Sequence, residues 1–104
     1  MKNPFDFSTS QILQIELDQI HEALIFQEIE ISPHAEREAN AENIPLVAIL
    51  EAILVGTPVS KDLPNNNQNR TAGINFERQL DDKHWIRTKV SWFNGYVIIT
   101  VHTI

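Results

Sequence analysis

The dipeptide Asn94-Gly95, set between two strand-like runs, constrains the fold of this chain more than any other feature of its sequence. Asn-Gly is the preferred pair for the two-residue type I′ turn of a β-hairpin, and both flanking runs are rich in β-branched and aromatic residues. We therefore predict two antiparallel strands, at about 84–93 and 96–103. The predicted register pairs Phe93 with Tyr96, Trp92 with Val97, Val90 with Ile99, Lys89 with Thr100, and Arg87 with His102.

This register divides the hairpin into two faces, because successive side chains of a strand point to opposite sides of the sheet. The apolar face is predicted to be the core side and carries Ile86, Val90, Trp92, Val97, Ile99 and Val101. The other side, called the open face below, brings together two cations, a hydroxyl group and an imidazole. These belong to Arg87, Lys89, Thr100 and His102, with Trp85 and Ile104 at one end.

A further strand at about 72–80 precedes the hairpin, and residues 81–83 connect the two. If all three residues form the loop, Ile74 and Phe76 face the core; a two-residue loop would turn them to the open face. We favour the three-residue loop because it buries this apolar pair. The open face then has two rows, Glu77–Arg87–His102 and Asn75–Lys89–Thr100.

The first half of the chain is predicted to be mainly helical, from its apolar periodicity and its start and stop signals. The predicted order is a helix after a capping box at Ser8–Gln11, a short strand or linker at 28–31, helices at 33–43 and 45–55, an edge strand at 57–63 and an exposed loop at 64–69. Alternatively, the first helix runs on to Gln27. Two or three helices followed by an antiparallel sheet of three or four strands predict one α+β domain over residues 1–104.

Composition excludes several classes of function. There is no cysteine, which removes disulfides, thiol catalysis and thiolate metal sites and is compatible with a reducing cytoplasm. No apolar run is long enough for a membrane span, and no motif with metal-ligand spacing or phosphate-binding glycines is present, so we expect neither metal nor cofactor. A net charge of −6 argues against non-specific coating of nucleic acid, although it leaves room for a local basic pocket.

The open face combines the groups that metal-independent cleavage of RNA requires. Such a reaction needs a base, an acid and cations over the phosphate, and an aromatic ring to stack a base is useful. His34 is a further candidate, because a position near a helix N-terminus favours a neutral imidazole. The simpler alternative is a solvated face stabilised by cross-strand charge pairs. The predicted catalytic residues are His34, Arg87, Lys89, Thr100 and His102, and the predicted substrate-binding residues are Trp85, Asn75 and Glu77.

The segment Ile31-Ser32-Pro33-His34-Ala35, followed by Ile44, by an apolar helix up to Gly56 and by the closing run Ile99-Thr100-Val101-His102, resembles a small uncharacterised bacterial domain family. In that family a short strand leads into a Ser-x-His-Ala helix start, and a strand with a Val-Thr-Val-aromatic pattern closes the chain. The family is grouped with the RelE and BrnT types of toxins. The resemblance covers about residues 28–104 and leaves residues 1–27 as an N-terminal helical addition.

The resemblance implies a RelE/barnase-like fold and two hypotheses for function. The first is a toxin-like endoribonuclease of a toxin–antitoxin system in the cytoplasm, with RNA and an antitoxin protein as partners. The second is a catalytically inactive relative that acts as a protein- or nucleic-acid-binding regulatory module. We predict the first, because the open face is intact, and keep the second as the alternative, because Glu38 and Glu42 stand where the family has arginines. We also expect a homodimer.

Overall fold

The computed structural model describes residues 3–64 and 71–104 of the chain, and it confirms the α+β fold with the helices N-terminal to the sheet. The sheet has five strands rather than three or four, in the order β1-β5-β4-β3-β2, and only β1 and β5 run parallel. The elements are α1 (Gln14–Ile25), β1 (Ile29–Ile31), α2 (Pro33–Ala41), α3 (Leu46–Val55), β2 (Thr57–Asp62), β3 (Gly73–Gln79), β4 (Trp85–Trp92) and β5 (Tyr96–Thr103).

The predicted hairpin forms, and its register is correct far from the turn and wrong near it. Arg87 pairs with His102 and Lys89 with Thr100, but Val90 pairs with Ile98 and Trp92 with Tyr96. Ile99 is the extra residue of a β-bulge, which shifts the rest of the strand by one position and so exchanges its faces. Tyr96 and Ile98 are therefore buried on the core side, in place of Val97 and Ile99.

The third strand pairs with the hairpin as predicted from the three-residue loop. Ile74 lies opposite Val90 and Phe76 opposite Thr88, and all four are buried. The helices cover this side of the sheet: α3 contributes Ile49, Ala52 and Ile53 to the core, and α2 contributes Ala35 and Ala39, whose small side chains allow close approach to β5.

Helix α1 begins at Gln14 rather than directly after the capping box predicted at Ser8–Gln11. The carboxylate of Glu16 reaches back instead, and accepts hydrogen bonds from the backbone nitrogens of Leu13 and Asp6, each at 2.8 Å. Beyond α1, the predicted strand at β1 is confirmed, and a positive φ of 56° at Gln27 ends the helix before it.

An ion pair between Glu16 and Lys61 fixes the N-terminal segment and α1 to strand β2. The Lys61 Nζ lies 2.8 Å from Glu16 Oε1, and both side chains are almost completely buried. The same ammonium group donates hydrogen bonds to the carbonyl oxygens of Asp6 and Gln11, at 2.7 and 2.8 Å. Burial of this pair is tolerated because its charges and hydrogen bonds are matched.

No helix in the described ranges has the length and apolar content needed to cross a membrane. Of the predicted exposed loop at 64–69, Pro64 is exposed at the end of the first range, and the rest lies outside the described residues.

Candidate functional site

Strands β3, β4 and β5 bring the predicted open-face residues together. The register places the two rows side by side as predicted, and Trp85 lies on the same face at the start of β4, where it is exposed. The rows are Glu77–Arg87–His102 and Asn75–Lys89–Thr100.

Arg87 is already paired with a carboxylate of the next strand. Its Nε donates a hydrogen bond of 2.7 Å to Glu77 Oε2, and its Nη2 donates to the same oxygen. A guanidinium held in this way by a neighbouring carboxylate has its charge largely compensated. A phosphate group at this position would either have to displace Glu77 from Arg87 or bind despite repulsion from the nearby Glu77 carboxylate.

Lys89 is held still more firmly. Its side chain is only 9% exposed, its Nζ lies 2.7 Å from Asp62 Oδ2, and it donates a hydrogen bond of 2.8 Å to the carbonyl oxygen of Thr71. Asn75 supports the same carboxylate, because its Nδ2 donates to Asp62 Oδ2 at 2.9 Å and to Ser60 Oγ at 3.0 Å. Lys89 therefore balances a partly buried charge of β2 and is not turned towards a ligand.

The two candidate histidines lie on different sides of the sheet. His102 is a half-buried neighbour of Arg87 on the open face. His34 belongs to α2, which packs on the core side; its side chain is 64% exposed, and its Nε2 lies 3.4 Å from Glu38 Oε1 on the same helix. The structure thus groups Arg87, Lys89, Thr100 and His102, and it leaves His34 apart from them.

Glu38 and Glu42 have a clear structural role. Strand β1 pairs with β5 only at Tyr96–Ile98, so beyond this point the edge of β5 has no neighbouring strand among the residues that the structure describes. Glu38 Oε1 accepts a hydrogen bond from the backbone nitrogen of Val101 at 3.1 Å, and Glu42 Oε2 accepts one from that of Thr103 at 2.6 Å. An arginine has no acceptor and could not replace either contact.

In the part of the chain that the structure describes, no three His, Asp or Glu side chains converge on a common point.

A groove of about 620 Å³, which the sequence analysis missed, lies between the C-terminal end of α1, β1 and the hairpin tip. It is lined by three carboxylates and three aromatic rings, which belong to Glu22, Glu28, Glu30, Trp92, Phe93 and Tyr96. The sequence shows both clusters, at 22–30 and at 92–96, but only the parallel pairing of β1 with β5 brings them together.

Helix α3 presents a second unpredicted surface. Its outward residues Leu46, Val47, Leu54 and Val55 are between 46% and 63% exposed. The one charged residue of the helix, Glu51, is paired with Arg78 at 3.0 Å. An exposed apolar helix surface of this kind is typical of a site that a partner covers.

No protein-family model, no curated protein and no solved structure matches this chain. The resemblance to the RelE and BrnT types of toxins therefore stays a prediction.

Proposed function

We propose that the protein is a non-catalytic protein-binding module that assembles through the outward face of α3. The observation that carries this proposal is the composition of the helix, in which Glu51 is the only residue of the ten that is not apolar. A helix that is apolar all round is normally buried all round, yet half of α3 faces solvent in the single chain. An additional chain covering this face would remove the mismatch.

The state of the open face supports a binding role over a catalytic one. Arg87 and Lys89 both have a carboxylate partner within hydrogen-bond distance, so neither offers the free positive charge that phosphate binding requires. The pairing of both cations favours the second of the two sequence-based hypotheses, the catalytically inactive binding module. The net charge of −6 favours a protein over a nucleic acid as the partner.

The partner that fits α3 best is a second copy of the chain. Leu46, Leu50 and Leu54 recur every four residues and form a ridge along the helix, and Glu51 is neutralised by Arg78. Two such faces are complementary to each other across a two-fold axis, because an isologous interface pairs a patch with itself. No charge on the patch selects a partner of opposite sign.

Sedimentation equilibrium tests this assembly. We expect a mass of about twice 11.9 kDa for the wild type. In the double variant Val47→Glu, Leu54→Glu the mass should shift towards that of the monomer, with the dissociation constant of the dimer raised at least about tenfold. Ile104→Glu is the matched control, because it adds a charge at an exposed apolar residue elsewhere. A monomeric wild type at high micromolar concentration, or equal effects of both changes, would contradict the proposal.

The toxin-like, metal-independent endoribonuclease remains the second candidate, favoured by the pairing of Arg87 with His102 on one face. If it is correct, the purified protein cleaves RNA in the presence of a chelator, and His102→Ala lowers the rate about a hundredfold, because a general acid or base is lost. His84→Ala is the control, since His84 pairs with Asp81 in a surface turn.

Cleavage assays decide between the two candidates. RNA cleavage that survives in His84→Ala and is lost in His102→Ala would favour the enzyme and refute the non-catalytic module. Absence of cleavage by the wild type, or equal cleavage by both variants, would remove the enzyme from consideration.

A further inference from the structure

Negative charge is concentrated at the groove between α1, β1 and the hairpin tip. Glu22 lies near the end of α1, Glu28 in the following connection and Glu30 in the middle of β1. All three are exposed, and across residues 3–64 and 71–104 none of them forms a salt bridge with a cation. The C-terminal end of α1 adds the partial negative charge of its carbonyl groups, and its last turn has no basic residue to offset it.

Aromatic rings form the opposite wall of the groove. Trp92 and Tyr96 meet edge to face, with ring centroids 5.1 Å apart and planes at 82°, and Phe93 is exposed at the rim. The face of an aromatic ring attracts a cation, and its apolar surface packs against the methylene chain that carries the cation in lysine or arginine.

The hydroxyl group of Tyr96 is a polar group without a partner at this site. The residue is only 8% exposed, and its oxygen forms no hydrogen bond with any residue that the structure describes. Those residues also include no fully buried polar side-chain atom that lacks a partner, so the hydroxyl is accessible to solvent, and Tyr96 is one of the residues that line the groove. Burial, followed by the charges of Glu16 and Glu22, raises the pKa of Tyr96 to about 12, so the oxygen stays protonated. A neutral phenol oxygen can accept a hydrogen bond from an ammonium or guanidinium group.

From this geometry we propose that the groove binds a basic peptide segment, whose lysine or arginine side chains lie against Trp92 and Tyr96 and pair with Glu22, Glu28 and Glu30. The site is separate from the outward face of α3, so the proposal does not rest on assembly through that helix. It assigns a second interaction surface to the protein, with a ligand class set by charge.

The distribution of charge favours a peptide over a small amine. The three carboxylates come from three successive segments and line a groove of about 620 Å³, whereas one ammonium group would occupy only a small part of that space. Several cations linked in one chain can reach all three carboxylates, and their binding energies then add within one ligand.

Titration of the full-length protein, followed by the backbone amide signals in NMR spectra, tests the site. The probe is a blocked octapeptide that alternates lysine with glycine, and the matched probe has glutamate in place of lysine. We expect the lysine peptide to shift the amide signals of Glu30, Trp92 and Tyr96 saturably, and the glutamate peptide to leave them unchanged. Weakening by added salt is expected as well, because the carboxylates are exposed.

Charge-matched variants show whether the groove itself is responsible. Glu22→Gln combined with Glu30→Gln should weaken the lysine peptide about fivefold. Glu36→Gln combined with Asp82→Asn removes the same charge from exposed positions outside the groove and should leave the affinity within about a factor of two. Tyr96→Phe, which removes only the hydroxyl, should also weaken the peptide while circular dichroism stays unchanged.

Three results would overturn the proposal. They are absence of saturable binding, an equal loss of affinity in the control double variant, and amide shifts that map to residues outside the groove. A separate titration with n-butylammonium chloride tests the class of ligand. If this small amine binds as tightly as the peptide, the occupant is a free amine and the peptide assignment is wrong.

Discussion

Glu38 and Glu42 accept hydrogen bonds that β1 is too short to accept. Sequence comparison with a toxin-like pattern treats these positions as lost cations, whereas the structure uses them as acceptors for the free edge of β5. An unpaired strand edge is a site for unwanted pairing with another chain, and side-chain acceptors are one way to block it. The charge at these two positions therefore follows from the architecture of the sheet and gives no measure of activity.

Substitutions at Glu38 should separate its acceptor function from its charge. Glu38→Gln keeps a carbonyl acceptor and should change the free energy of unfolding little. Glu38→Leu leaves the Val101 nitrogen without that partner and should cost about 1 to 3 kcal/mol in chemical denaturation. Glu36→Leu, on the exposed side of the same helix, is the control, with an expected change within about 0.5 kcal/mol. Equal losses in Gln and Leu variants would show that charge, and not hydrogen bonding, is what matters.

At the scale of elements, the hairpin shows how far local signals determine structure. Asn94-Gly95 fixes the existence of the turn, and the residues far from it pair as predicted. The bulge at Ile99 could not be predicted, because it depends on tertiary packing: the shift buries the ring of Tyr96 against Phe5 and Trp92, which are distant in sequence or across the strand. Burial of that ring outweighs an uninterrupted ladder of hydrogen bonds.

The same distinction applies to the open face. Its two rows follow from strand alternation and loop length, and both are correct. The partner of Lys89 could not be predicted from the sequence. It is Asp62 of β2, and the length of the connection between β2 and β3 does not determine how these two strands pair. The prediction of His34 as a site residue rests on its position near a helix N-terminus, which carries no information on which side of the sheet the helix covers.

At the scale of the whole molecule, the Glu16–Lys61 pair holds together three parts of the chain that are far apart in sequence. Helix α1 resembles an appended element when only the sequence is considered, yet its N-terminal turn, the preceding segment and β2 share one buried cation. The start of α1 is set by the same contact, since the Glu16 carboxylate that reaches back to Leu13 also binds Lys61.

Removal of this cation should destabilise the entire fold. Lys61→Met leaves the Glu16 carboxylate buried without its partner, and we expect a loss of about 3 to 5 kcal/mol in the free energy of unfolding. That is a large fraction of the stability of a domain of this size. Glu51→Gln, which breaks the exposed Arg78–Glu51 pair, should cost less than about 1 kcal/mol under the same denaturant titration. A loss below about 1 kcal/mol for Lys61→Met would mean that water replaces the cation.

The position of β5 between β1 and β4 has a consequence for biosynthesis. Of the five strands of the sheet, β5 is the last to be synthesised, and it pairs with β1, which is the first. Until residues 96–103 have been synthesised, β1 lacks the strand it pairs with and α2 lacks the strand it packs on, so both reach their native contacts only after that point. Contacts so distant in sequence also slow folding. The inner face of α3 is covered by β3 and β4, so its apolar residues lack a sheet until those two strands have been made, and the nascent chain is then most in need of a chaperone.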